Sequence, residues 1–306
     1  MTKTSTSPRR RAMPALIAGV TAVALVSGTT QAVASTGSAS AVLETTSKID
    51  AAWAGGKVSE QSAVKTRIGR GSATLTDRRG NKLGVSIAGL RKGANARTIG
   101  RTTMFTNGLG MSVDAAVQRT NAGVRMISVI RSANAPTSYR YPLQLPRGAT
   151  LHRQASGVII IDDAAGRALG AIRAPWAIDA RGTRVTTSFE VRGHTLVQNV
   201  AHRGAVYPVV ADPSIDFGLT SATLTLNAKD QRILLSGGGA GAGALIGGLL
   251  CSASGAGAVL CAAGGAVIGT MVFEAIKEYA VRENCELKVK IGYFPPGVDD
   301  VSTQCS

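Results

Sequence analysis

Val158-Ile159-Ile160-Ile161, then Asp162-Asp163-Ala164-Ala165-Gly166-Arg167, then Ala168-Leu169-Gly170-Ala171-Ile172 carries the clearest structural pattern in the chain. Two apolar runs, each too short for a helix, flank a polar segment rich in turn-forming residues, which is the signature of a β-hairpin. Similar units lie on either side. Ala73-Thr74-Leu75-Thr76 and Leu83-Gly84-Val85-Ser86-Ile87 flank Arg79-Gly80-Asn81. Between Gly123 and Arg131, Val124, Met126 or Ile127 and Val129 alternate with polar partners, and Val185 to Val191 joins His194 to Val200 through Arg192-Gly193. Val206 to Val210 closes the series. Pro136, Pro142, Pro146 and Pro175 fall between or at the ends of these runs, where a missing N–H is tolerated. Short strands recurring about every eight to twelve residues predict an antiparallel β-sandwich or open barrel over residues 67–213.

Within this region one pattern resembles a known group. Ala174-Pro175-Trp176-Ala177-Ile178-Asp179-Ala180-Arg181-Gly182-Thr183, followed by Phe189-Glu190-Val191, Leu196-Val197-Gln198 and Tyr207-Pro208-Val209-Val210-Ala211-Asp212-Pro213, resembles a recurring module of secreted actinobacterial proteins. The likeness covers roughly residues 135–215 well and the preceding region loosely. It implies an exported, β-rich protein and carries over no catalytic residues. Read physically, Tyr207-Pro208 opens a final strand that enters the core, Asp212-Pro213 ends it as a turn, and Trp176 is a core aromatic.

The N-terminus reads as an export signal. Lys3, Arg9, Arg10 and Arg11 precede an uncharged, mostly apolar run from Ala15 to Val26, and Ala32-Val33-Ala34 places small residues where a signal peptidase reads. Residues 1–34 are therefore expected to be a signal peptide cleaved between Ala34 and Ser35, leading to the outside of the cell or its envelope. Ala12-Met13-Pro14 matches the twin-arginine route poorly, so general secretion is the expected path. Residues 35–66, rich in Ser, Thr, Ala and Gly, read as a flexible leader with one short helical candidate around Val42–Trp53.

Beyond the β region, residues 214–236 read as a connector whose short helix, capped by Asn227 and Asp230, runs to about Ser236. Residues 237–306 differ in character. No charge occurs in the 41 residues between Arg232 and Glu274, and Gly239, Gly243 and Gly247 recur at intervals of four. Gly257, Cys261, Gly265 and Gly269 repeat that interval after a break at Ser252–Ala256. Spacing by four aligns small residues on one helical face and lets two backbones approach closely, which predicts a glycine-zipper αα-hairpin. All four cysteines lie here, and an even count in an exported chain reads as disulfides. Four cysteines allow three pairings; the local one, Cys251–Cys261 and Cys285–Cys305, is favoured because it clasps the helical turn and closes the tail. The fold class expected is α+β: an antiparallel sandwich or open barrel, then the zipper hairpin, then a small disulfide-closed tail.

Removing residues 1–34 lowers the net charge from +16 to +12. Ten basic residues between Lys65 and Arg101 face a single acid, Asp77. A field of this sign attracts anionic cell-wall polymers and membrane surfaces. The low aromatic content, 4%, leaves few stacking platforms for nucleic acid bases. His152, His194 and His202 lack metal-ligand spacing, no nucleophile elbow or phosphate loop occurs, and Glu190 is the sole Glu of the β region. No enzyme activity, metal, cofactor or small-molecule substrate is expected. The sequence implies a non-enzymatic surface-contacting protein in which the hairpin mediates self-association or membrane contact. The alternative is a bacteriocin-like or toxin-like protein with residues 237–306 as the active part.

Overall fold

The computed structural model describes residues 30–54, 58–154, 157–236, 265–278, 285–293 and 296–305. They form mostly antiparallel β-sheets with few helices. A six-stranded sheet runs in the order β14 (Thr187–Arg192), β15 (Thr195–Val200), β9 (Ser138–Gln144), β4 (Lys82–Ser86), β3 (Ser72–Thr76), β2 (Lys65–Gly69). A ten-stranded sheet runs β10 (Thr150–Arg153), β11 (Ile159–Asp162), β12 (Ala168–Ile172), β17 (Ser214–Phe217), β8 (Gly123–Ile130), β7 (Val113–Arg119), β6 (Thr102–Thr106), β5 (Asn95–Ile99). Its two short side strands are β13 (Ala177–Ile178) and β16 (Val209–Ala211), the latter paired to β8.

The hairpins read from the sequence are present, and two of their turns share a chemistry with a third turn at Asp179. In Asp77-Arg78-Arg79-Gly80, Asp163-Ala164-Ala165-Gly166 and Asp179-Ala180-Arg181-Gly182 the aspartate Oδ1 accepts the N–H groups two and four residues on, at 2.8–3.0 Å. Each closing glycine has a positive φ of 74–84°, which side-chain-bearing residues rarely adopt. A short polar side chain fixes each reversal without tertiary help.

The six- and ten-stranded sheets face one another across the largest core. Leu75, Leu83, Tyr141 and Leu196 from one meet Phe105, Val117, Met126, Ile159 and Phe217 from the other. The back of the ten-stranded sheet is also covered. All eight residues of β8 are buried, so the alternation expected over Gly123–Arg131 does not divide core from solvent there. It divides one core from another. Val124, Met126 and Ile130 belong to the first, while Ile127 and Val129 face a second with Met104, Trp176 and Val210.

That second core is roofed by α1 (Thr30–Ala54), through Ala39, Val42 and Ile49. Residues 35–66, expected as a flexible leader with a short helix around Val42–Trp53, thus hold most of the 25-residue α1, the strand β1 (Val58–Ser62) and the start of β2. The signal lies in spacing: Ala39, Val42, Thr46 and Ile49 recur at three- and four-residue steps, a buried stripe made of small residues.

The connector is reassigned as well. Residues 214–226, expected outside the β unit, form β17 and β18 (Leu219–Leu226). β17 sits between β12 and β8, and β18 is central to a four-stranded sheet ordered β1, β18, β19 (Cys285–Tyr293), β20 (Pro296–Cys305). The alternation in Ala222, Leu224 and Leu226 marks β18 as a strand with one face in a third core. The expected cap is in place: Asp230 N–H donates to Asn227 Oδ1 at 2.9 Å and Asn227 N–H to Asp230 Oδ2 at 3.3 Å, opening α2 (Ala228–Ser236). α3 (Gly265–Glu278) adds Val272, Phe273 and Ile276 to the third core beside Leu287, Val289 and Ile291. The tail is therefore not a separate closed loop, because its strands complete a sheet begun by β1.

Candidate functional site

Two places gather polar chemistry: an outer sheet face and a buried layer beneath α1. The outer face follows from strand register. Lys65 pairs with Thr76 and Thr76 with Lys82, giving one row across β2, β3 and β4. Arg67 pairs with Thr74, Thr74 with Gly84, and Gly84 with Gln144, giving the next row. Residues alternating along a strand share a face, so Lys65 and Arg67 of β2 form one wall and Lys82 of β4 the other. Thr74, Thr76 and Gly84 make the floor. Two strand spacings separate the walls by about 10 Å. The groove, about 530 Å³, is lined by Lys65, Thr66, Arg67, Thr74, Thr76 and Lys82, with no carboxylate among them.

Lys65, Arg67 and Lys82 are exposed, and none of the three forms an ion pair with a described residue. Asp77, the lone acid of the basic segment, is spent on its own turn and accepts Asn81 Nδ2 at 2.7 Å besides two backbone N–H groups. The ten cations of that segment do not converge as one patch. Arg70 folds back onto the Lys92 and Ala94 carbonyls at 2.5 and 2.7 Å and lies over the Phe105 ring at 5.8 Å. Arg101 binds Asn121 Oδ1 at 2.6 Å, and Arg97 sits on β5 of the other sheet.

The buried layer centres on Arg125, which is fully buried on β8 and faces α1. Its guanidinium donates to Asp50 of α1 at 2.7 Å, to Gln118 Oε1 at 2.6 Å and to Ser214 Oγ at 2.9 Å, and its Cζ stands 5.8 Å from the Trp176 ring. Ser214 Oγ donates onward to Asp212 Oδ2. Gln118 Nε2 extends the layer to Thr46 of α1 at 3.2 Å and Thr102 at 3.0 Å. Asp212 is fully buried, and burial pushes its carboxyl up to about 7, against the opposing pull of Arg125 and of hydrogen bonds from Ser214 and Trp176. The turn expected at Asp212-Pro213 does not occur: β16 and β17 continue along β8 in one register, and Asp212 between them is an interior polar group. Trp176 is in the core, as expected. Sequence reading treats Arg125 as an outward polar partner, and the signal for its burial is its place amid apolar residues on both sides.

The remaining candidates lie apart. His152 and His194 are exposed, while His202 is buried with Nδ1 3.1 Å from Tyr207 Oη and Nε2 3.1 Å from the Pro136 carbonyl. Glu190 pairs with Arg192 at 2.7 Å. Among the described residues no group of three or more His, Cys, Asp or Glu could hold a metal ion. Cys285 and Cys305 are joined by a disulfide that closes the ends of β19 and β20. Cys251, Cys261, Gly239, Gly243, Gly247 and Gly257 lie outside the described residues. Gly265 opens α3, and Gly269 is buried one turn before Val272, Phe273 and Ile276, on the helical face that enters the third core. No described helix is long and apolar enough to cross a membrane. No protein-family model, curated protein or solved structure matches this chain.

Proposed function

We propose that this is an exported, non-enzymatic protein that holds an anionic polymer of the cell envelope against the cationic groove of β2, β3 and β4. The observation that carries this reading is the register that sets Lys65 and Arg67 opposite Lys82 across a threonine floor, with no carboxylate in the lining. Cations without acidic partners keep their field for an outside ligand. A gap of about two strand spacings accommodates one extended polymer chain, and threonine hydroxyls on its floor donate to phosphate or carboxylate oxygens. The signal peptide ending at Ala34 and the Cys285–Cys305 disulfide both fit an oxidising destination.

The glycine-zipper hairpin belongs to the same proposal, with Gly239, Gly243, Gly247, Gly257, Gly265 and Gly269 as its packing face and Cys251–Cys261 across its turn. Its role is self-association or contact with lipid. What supports this is the spacing of small residues by four within the uncharged run.

The test uses the mature chain and a poly(glycerol phosphate) of defined length. Wild type is expected to bind with an affinity that falls steeply as salt is raised, because exposed charges are screened. Replacing Lys65, Arg67 and Lys82 together by Ser is expected to weaken binding at least tenfold, about 1.4 kcal/mol. A variant in which Arg119, Arg153 and Arg203 are replaced instead should bind nearly as wild type does. Equal loss in both variants would reduce the effect to net charge and remove the groove from the account.

A further inference from the structure

Arg125 is shared between two carboxylates of opposite circumstance. Asp50 comes from α1, contacts the guanidinium at 2.7 Å and keeps its side chain 58% exposed. Asp212 lies in the two-residue break between β16 and β17, which follow β8 in one register; it is fully buried and reaches Arg125 through Ser214 Oγ. We propose that α1 is a strap governed by pH, latched onto the ten-stranded sheet by the Asp50–Arg125 pair in acid and loosened at neutrality, when Asp212 claims Arg125.

The geometry supplies the direction. A protonated Asp212 leaves the guanidinium charge to Asp50, and the latch is undivided. An ionised Asp212 sets two like charges around one cation. Asp50 can turn its carboxylate to water at little cost because it is more than half exposed, whereas Asp212 has no water to turn to. The exposed partner therefore yields, and it is the partner that holds α1.

The other charged and titratable groups near this layer, among the described residues, do not reverse the effect. Asp216, two residues beyond Ser214 on β17, is paired with Arg173 of the loop after β12 at 2.5 Å. Tyr141, from β9, bonds Ser128 at 3.0 Å, and burial drives its phenol above its ordinary value, so it stays neutral. Lys48 and Glu44 pair with each other at 2.7 Å on the exposed side of α1. Gln118, Ser214 and Trp176 bring no charge. What α1 buries between residues 37 and 50 is modest: Ser38, Ala39, Val42, Thr46 and Ile49, with Leu43 left 40% exposed. A helix with so small an apolar stripe depends on its polar contacts, here Asp50 to Arg125 and Thr46 to Gln118.

The linkage fixes the pH window. Lifting α1 takes Asp50 away from Arg125, leaves the guanidinium charge to Asp212, and so lowers its proton affinity from the closed-state value of about 7 toward that of an ordinary carboxyl. The closed form therefore binds the proton more tightly, and raising the pH favours the open form until about 7, above which the balance is constant.

Hydrogen exchange on the mature chain, read by mass spectrometry and normalised for the intrinsic pH dependence of exchange, tests this directly. Protection of amides 37–50 is expected to fall roughly tenfold or more between pH 5 and pH 7.5, while amides of β7 and β8 keep theirs. Asp212→Asn, a neutral isostere of the protonated acid, should hold α1 protected across the range. Asp50→Asn should leave it weakly protected throughout. Equal α1 protection of the wild type at the two pH values overturns the proposal without recourse to any variant. So does an Asp212→Asn protein, folded by the criterion of its β7 and β8 amides, that tracks the wild type.

Discussion

Two glycines decide whether β17 can occupy its place between β12 and β8. A Cβ on Gly123 would stand 2.0 Å from the Ile215 carbonyl oxygen, and one on Gly170 would stand 2.3 Å from that of Asp216. Both obstacles are backbone, so neither can rotate aside. Gly84 differs, since the atom its Cβ would meet at 2.7 Å is Oε1 at the tip of the Gln144 side chain. Gly123→Ala and Gly170→Ala are thus expected to cost roughly 1–3 kcal/mol each, as forced overpacking does. Gly84→Ala should cost clearly less; urea midpoints of the three variants check the order. Residue-level reading of the sequence could not supply this, because glycines inside strand patterns signal close approach without naming the partner. For the same reason it placed Asp212 at a turn and left Arg125 facing outward. The charge state of Asp212 follows from its burial beside Trp176, Ser214 and Arg125.

At the scale of elements, the Asp-x-x-Gly turns carry their own instructions. Asp77, Asp163 and Asp179 make the same pair of Oδ1 contacts to backbone N–H groups two and four residues on. Burial opposes ionisation at Asp163 and Asp179, yet both are held below the ordinary carboxyl value: Asp163 first by the Arg167 side chain and then by backbone N–H donors, Asp179 first by backbone N–H donors and then by the Arg181 charge. A depressed carboxyl contributes stability above its unfolded value and loses it as pH falls through the folded one. Asp163→Ala and Asp179→Ala are therefore expected to lower the melting temperature most near neutral pH and progressively less below pH 4, measured by thermal denaturation. A uniform loss at every pH would assign these residues a purely steric part. Turns of this kind were legible because four adjacent residues hold all of the chemistry. The helix cap at Asn227 was legible on the same ground. Strand β18 was not, and of α1 only the part around Val42–Trp53 was, since a stripe of Ala, Thr and Ser shows little amphipathic contrast until the face it covers is known.

The molecule as a whole is a stack in which the ten-stranded sheet is the middle layer, with the six-stranded sheet on one side and α1, the four-stranded sheet, α2 and α3 on the other. Distant parts of the chain meet in that arrangement: β1, near residue 60, pairs with β18, which pairs with β19 and, through it, β20. The disulfide between Cys285 and Cys305 closes a 20-residue separation at the rim of this sheet. Replacing both cysteines by Ser is expected to cost about 3 kcal/mol through the loop entropy restored to the unfolded chain. Urea denaturation measures it, and an unchanged midpoint would show that β19 and β20 hold through Leu287, Val289 and Ile291 alone. The sequence alone determined the hairpins, their turns, the β-rich class, the Asn227 cap and the density of cations after Lys65. These depend on neighbours within a few positions, where alternation and short polar side chains act directly. Tertiary structure alone decided which cations form a groove, that β8 is buried on both faces, and that Arg125 lies between an exposed carboxylate and a buried one. Those properties come from strand register and layer stacking, which bring together residues as distant as Asp50 and Asp212.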